Sequence, residues 1–124
     1  MKILAIDSSS VSVSAALCDE ETVLGEEFIH IRQTHSETLM PGVASLLSRC
    51  GVAATDIGLF AVTAGPGSFT GVRIGVATVK GMAVARDIPC AAVSSLEAAA
   101  AAAVGFSDVV CAVMDARRGQ FYNA

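Results

Sequence analysis

Tryptophan is absent from this 124-residue sequence, tyrosine occurs once, and aromatic residues make up only 5%. A core without large rings must be filled by small and aliphatic side chains. The 22 alanines supply many of them, so backbones are expected to approach closely. Charge is scarce as well. Only 16% of residues are charged against 53% apolar, with a mean hydropathy of +0.62, a balance that excludes a disordered, solvated chain. Eight basic residues stand against twelve acidic ones, for a net charge of −4, and five of the acids crowd between Asp19 and Glu27. Sequence-independent affinity for nucleic acid comes from Lys and Arg on phosphates. Direct RNA or DNA binding by this chain alone is therefore not expected.

No apolar run approaches the roughly 20 residues of a membrane-spanning helix, since the alanines from Ala98 to Ala103 are bounded by Glu97 and Asp108. The opening MKILAIDSSS meets an acid after four apolar residues. That is too short for the apolar core of about 7–15 residues in a signal peptide. No membrane association is expected. Cys18, Cys50, Cys90 and Cys111 form no C-x-x-C pair and sit among apolar neighbours. They fit buried free thiols better than disulfides or metal ligands and imply a cytoplasmic setting. The length suits a single domain, residues 1–124.

Ile3 to Ile6 is a short apolar strand, and Val11, Val13, Ala15 and Leu17 alternate with smaller or polar residues as a half-buried strand does. A hairpin through Ser8 to Ser10 joins them, and Val23 to Ile31 makes the third strand of a meander. Ser36 is expected to cap a helix whose stripe is Leu39, Val43, Leu46, Leu47 and Cys50, ended by Gly51 and bent early by Pro41. Leu59 to Thr63 is a buried strand, followed by a helix from about Ser68 to Arg86 and a short strand from Ile88 to Val93. Ser94 or Ser95 caps a third helix, Val109 to Met114 is another strand, and Gly119 to Tyr122 begins a hairpin arm that stops as if cut. Strands alternating with helices after a meander predict an α/β fold, with a mixed sheet covered by helices.

The strongest local feature is GPGSFTGVRIG, Gly65 to Gly75, at a strand-to-helix turn. Backbone amides at such a turn can cradle a phosphate. The spacing G-x-G-x-x-x-G fits neither the phosphate loop with its lysine nor the dinucleotide fingerprint, and a tight turn built on Pro66 and glycine explains it equally. Asp7, before Ser8 and Ser9 at the end of the first strand, either helps hold a metal-bound phosphate or caps a turn. Gly65, Gly67, Asp7, Ser8 and Ser9 are thus the candidates for a phosphate or nucleotide loop. His30 and His35 are too far apart in sequence for one helical face, and Ser9, His35 and Asp115 lack the elbow and oxyanion motifs of a hydrolytic triad. Gly71 and Gly75, with Ala77, Gly81 and Ala85, put small residues at four-residue spacing on the second helix. They pack either on the chain's own sheet or on a helix from another subunit.

The stretch DIGLFAVTAGPGSFTGVRIG, Asp56 to Gly75, resembles the signature of the TsaB/YeaZ family, components of the bacterial machinery for threonylcarbamoyladenosine in tRNA. MKILAIDSSS, HSETLMP from His35, VSSLEA from Val93 and MDARRGQFYNA from Met114 resemble the family in the same order, so nearly the whole chain is covered. The resemblance implies one lobe of the actin-like ASKHA (ribonuclease H-like) fold, with the second lobe absent from this chain. A nucleotide shared between lobes is then possible only with a second lobe or a partner. No cofactor or metal is expected for this chain alone.

In the catalytic relative TsaD, two metal-binding histidines lie in a segment that aligns with Ser94 to Ala99. Ser95 and Ala99 take their places, and neither offers an imidazole. The resemblance therefore implies a scaffold that pairs with a TsaD-type subunit, or with a second copy when alone, and a TsaE-type ATPase is a further expected partner. Leu39, Val43, Leu46, Gly71, Ile74 and Gly75 are the expected interface, with no catalytic residues. A bulky residue at Gly75 is expected to abolish association and leave far-UV circular dichroism unchanged. An ATP-binding phosphotransferase lobe and a glycoprotease-like metal peptidase of the M22 type stay open as alternatives.

Overall fold

The computed structural model describes residues 1–30 and 34–124. The opening apolar run forms β1 (Lys2–Asp7), which pairs antiparallel with β2 (Val13–Cys18), and β2 pairs antiparallel with β3 (Val23–Ile29). The meander expected from alternating apolar positions is present, although the second strand begins at Val13 and leaves Val11 exposed. Ile31, the expected end of the third strand, lies outside the described residues. The β2–β3 turn is held by Asp19, whose Oδ1 accepts from the backbone N–H groups of Glu21 and Thr22 at 2.9 and 2.7 Å. These bonds, that from Glu21 first, hold its carboxyl below the usual value. Their support is present above the unfolded carboxylate pKa and is lost as pH falls through the lowered folded one.

Helix α1 (His35–Arg49) starts at Thr34, two residues before the expected Ser36. The Glu37 N–H bonds the Thr34 carbonyl at 3.0 Å, which places Ser36 inside the first turn. Pro41 is accommodated within the helix. After a single 3-10 turn at Ala54–Asp56, β4 (Ile57–Thr63) pairs parallel with β1, and helix α2 (Phe69–Val84) follows the glycine-rich loop. α2 stops two residues short of Arg86. Asp87 takes a left-handed φ of 52°, and the Ile88 N–H returns to the Ala83 carbonyl.

Pro89 has no N–H to give a ladder, so β5 is Cys90–Val93 and not the expected Ile88–Val93. It pairs parallel with β4, completing a five-stranded sheet in the order β3-β2-β1-β4-β5. Ser94 caps α3 (Ser95–Ala101), its Oγ accepting from the Glu97 N–H. The last expected strand is displaced from Val109–Met114. Its partner sets it at β6 (Val113–Arg117), paired with β7 (Gln120–Asn123). Arg118 and Gly119, at φ of 53° and 72°, make the tight turn between them.

α1 packs on β2 and β3, and α2 on β4 and β1. Leu4, Leu17, Leu39, Leu46 and Val79 are each 1% exposed or less, so one aliphatic layer lies between sheet and helices. Each such side chain contributes about 1.5–3 kcal/mol through burial. Arg49 pairs with Glu27 across the rim of α1 and β3, with the guanidinium exposed and the carboxylate partly buried, a pair of small weight while water screens it. Among the described residues, no helix is long and apolar enough to cross a membrane. Truncating Leu46 to Ala is expected to cost about 2–5 kcal/mol, read as a lower urea midpoint at constant m.

Candidate functional site

The C-terminal ends of β1 and β4 lie side by side, with Ile6 opposite Val62. This parallel register brings Asp7 to Thr63, and the Thr63 hydroxyl donates to Asp7 Oδ1 at 2.6 Å. The same oxygen accepts the Ser9 N–H at 2.9 Å. Through Oδ1, Asp7 caps the turn, one of the two uses its position suggests. Ser8 is 1% exposed, and its hydroxyl donates to the Gly71 carbonyl at 2.8 Å. That hydroxyl is turned toward α2, away from the cleft side of the turn, so any part of Ser8 in a phosphate loop would fall to its backbone.

The glycines explain themselves at this joint. A Cβ on Gly67 would run into the Ser9 carbonyl, one on Gly71 into the Ser8 carbonyl, and one on Gly75 into the Ser8 hydroxyl. The Ser68 N–H closes the contact by donating to the Ser9 carbonyl at 2.7 Å. Gly65 serves differently. Its φ of 109° lets the loop turn, and its carbonyl accepts the Ser95 N–H at 2.9 Å. Four of the five loop candidates, Asp7, Ser8, Ser9 and Gly67, therefore gather around one seam, where the start of α2 is pressed against the β1–β2 turn. Ser68 caps α2, its Oγ accepting from the Gly71 N–H.

Beside the seam lies a cleft of about 730 Å³, lined by Ser9, Ser10, His35, Thr70, Arg117 and Tyr122 among others. His35 Nε2 lies 2.7 Å from the Ser10 carbonyl. A carbonyl only accepts, so Nε2 carries the hydrogen. Neither this bond nor the contribution of the β6–β7 hairpin was visible in the sequence. The adjacent ends of β1 and β4 were the only available hint of the Asp7–Thr63 pair.

The expected interface fares differently. Leu39, Val43 and Leu46 are 1–2% exposed, Gly71 and Gly75 are buried, and Ile74 packs against the core. These six residues are taken up in the lobe's own packing, because the apolar or small stripe of each helix is the one that covers the sheet. The outward face carries Met40, Pro41 and Ala44 on α1 with Phe69, Ala77 and Gly81 on α2. Arg73 lies over the Phe69 ring at 5.1 Å.

The family model for TsaD, tRNA N6-adenosine threonylcarbamoyltransferase, matches residues 22–124. The tRNA threonylcarbamoyladenosine biosynthesis protein TsaB of Bacillus subtilis is 47% identical over 123 residues, covering 99% of this chain and 54% of that protein. The chain belongs to the TsaB/YeaZ family. TsaB of Escherichia coli is 38% identical, covering 100% of this chain and 54% of its own length. YeaZ from Pseudomonas aeruginosa superposes with a TM-score of 0.90 at 36% identity, over 98% of this chain and 58% of that one. The TsaB-like chain thus has the ASKHA-type lobe expected of it, and it spans about half the length of the curated relatives it matches.

The seam makes opposite demands on two glycines of α2. Gly71→Ala is expected to destabilise the lobe by about 1–3 kcal/mol through overpacking on Ser8. A methyl group on Gly81 would meet nothing within 4 Å, so Gly81→Ala should stabilise it by about 1 kcal/mol. Denaturant titration of the two variants checks both signs.

Proposed function

We propose that this chain is the amino-terminal lobe of a TsaB-type scaffold in tRNA threonylcarbamoyladenosine biosynthesis, without catalytic residues of its own, and that it pairs with a TsaD-type subunit. The observation that carries the reading is the 47% identity to TsaB along 99% of the chain. The place where the TsaD resemblance sets two histidines supports it. Ser95 is 5% exposed with an unpartnered hydroxyl at the start of α3, and Ala99 has no ligating atom. A transition metal would find no imidazole there.

The outward face of α1 and α2 is the surface for pairing. Met40, Pro41, Ala44, Phe69, Ala77 and Gly81 are exposed there, with Arg73 and Lys80 beside them, and give a second pair of helices apolar contacts to lie against. A second copy of the chain competes for the same surface when no TsaD-type subunit is present. ATP enters this reading only through a second lobe or the partner, because Asp7 and Ser8 are engaged in the seam. Recruitment of a TsaE-type ATPase would follow formation of the pair.

Light scattering on a sizing column, with the chain alone and mixed with a TsaD homologue, tests the reading. Co-elution at a defined stoichiometry is expected, and Ala77→Glu or Met40→Glu should abolish it without changing far-UV circular dichroism. Separate elution of the unmodified proteins would count against the pairing. A bulky substitution at Gly75, the test suggested by sequence, instead strikes Ser8 and the fold itself.

A further inference from the structure

The five-stranded sheet has two edges, and they differ in length. β5 is four residues long, whereas β3 runs for seven at the other end of the sheet. Along β3 one side of the backbone faces no strand among the described residues. Such an edge is a template for another strand, and proteins commonly blunt it with lysine or proline. The β3 sequence VLGEEFI contains neither.

The side chains divide by alternation. Gly25 and Ile29 face α1, meeting Cys50 and Gly42, and Glu27 is paired there with Arg49. Leu24, Glu26, Phe28 and His30 share the opposite face. Leu24 and Phe28 are 42% and 69% exposed, and the Phe28 ring stacks on His30 at 6.5 Å. Of the nearby acids, Glu20 takes the terminal amine and Asp19 is bound into its own turn. Glu21 and Glu26 have no cationic partner among the described residues.

We propose that β3 is a docking edge for an extended, positively charged segment of a partner protein, added to the sheet as a sixth strand. Main-chain hydrogen bonds supply the pairing, and alternate side chains supply the choice of partner. Glu26, flanked by Leu24 and Phe28, calls for a basic residue opposite it, and basic residues two positions away on either side would lay an aliphatic stem on Leu24 and a cation on the Phe28 ring. A second copy is disfavoured by the same residues. Antiparallel pairing of two β3 strands with Leu24 facing Phe28 sets Glu26 against Glu26, and like charges directly opposite oppose association.

The test is fluorescence anisotropy of the full 124-residue chain with a labelled probe peptide alternating lysine and valine over about ten residues, enough to span the strand. Two further probes replace lysine by glutamate, or methylate alternate backbone nitrogens of the lysine peptide. Binding of the first probe alone is expected, weakening with salt. Glu26→Lys should lower its affinity about tenfold and Phe28→Ala about threefold. Equal binding of the methylated peptide, which needs no variant to interpret, would overturn the proposal, as would affinity unchanged in both variants. A dimer of the free chain that Phe28→Ala dissolves would overturn it in favour of a second copy.

Discussion

The lobe depends on one close approach, that of the first two turns of α2 to the turn after β1. Three glycines at four-residue spacing allow it: Gly67, Gly71 and Gly75 lie against the backbone or hydroxyls of Ser8 and Ser9. A methyl group at any of them would collide with an oxygen, and oxygen atoms of a turn cannot step aside as the end of a flexible side chain does. Several of the polar groups brought into this contact are bonded locally. Ser8 bonds the Gly71 carbonyl, Ser68 bonds the Ser9 carbonyl, and Thr63 with Ser9 bonds Asp7. Pairing buried polar groups is the condition under which such packing stabilises.

Much of this architecture was legible in the sequence. The meander, the three helices and the placing of the glycine-rich segment at a strand-to-helix turn follow from apolar period and turn residues. What period alone leaves open is the identity of the covering surface. Leu39, Val43 and Leu46 share a stripe under either reading, whether a sheet or another subunit lies over it. The structure puts the sheet there. The Ser8–Gly71 bond spans 63 positions, so no local window contains it. Boundaries moved for specific reasons: Pro89 withholds an N–H from β5, Asp87 turns left-handed after α2, and the partner strand fixes β6.

These findings divide the surface of the TsaB-like lobe by role. One helix face is consumed in holding the sheet, the other exposes Met40, Ala44, Phe69 and Ala77 among charged residues such as Glu37, Arg73 and Lys80, and the acidic residues gather at the β2–β3 end. In the proposed scaffold reading this division matters more than a reactive group. The replacements at Ser95 and Ala99 agree with it, since one gives a buried hydroxyl and the other no functional atom.

The parallel pairing of β1 with β4 carries a consequence for synthesis of the chain. β2, β3 and α1 are all made before β4, which begins at Ile57. Until β4 emerges, β1 is itself an outer strand, and the apolar layer contributed by Phe60, Val62 and Val79 is missing from beneath the helices. The nascent meander therefore carries two open edges where the finished lobe keeps β1 at the centre of its sheet. A helix laid early across β2 and β3 shields only one face of that intermediate. Delay between translation of Arg49 and Thr63 is thus the interval in which neighbouring chains can capture it.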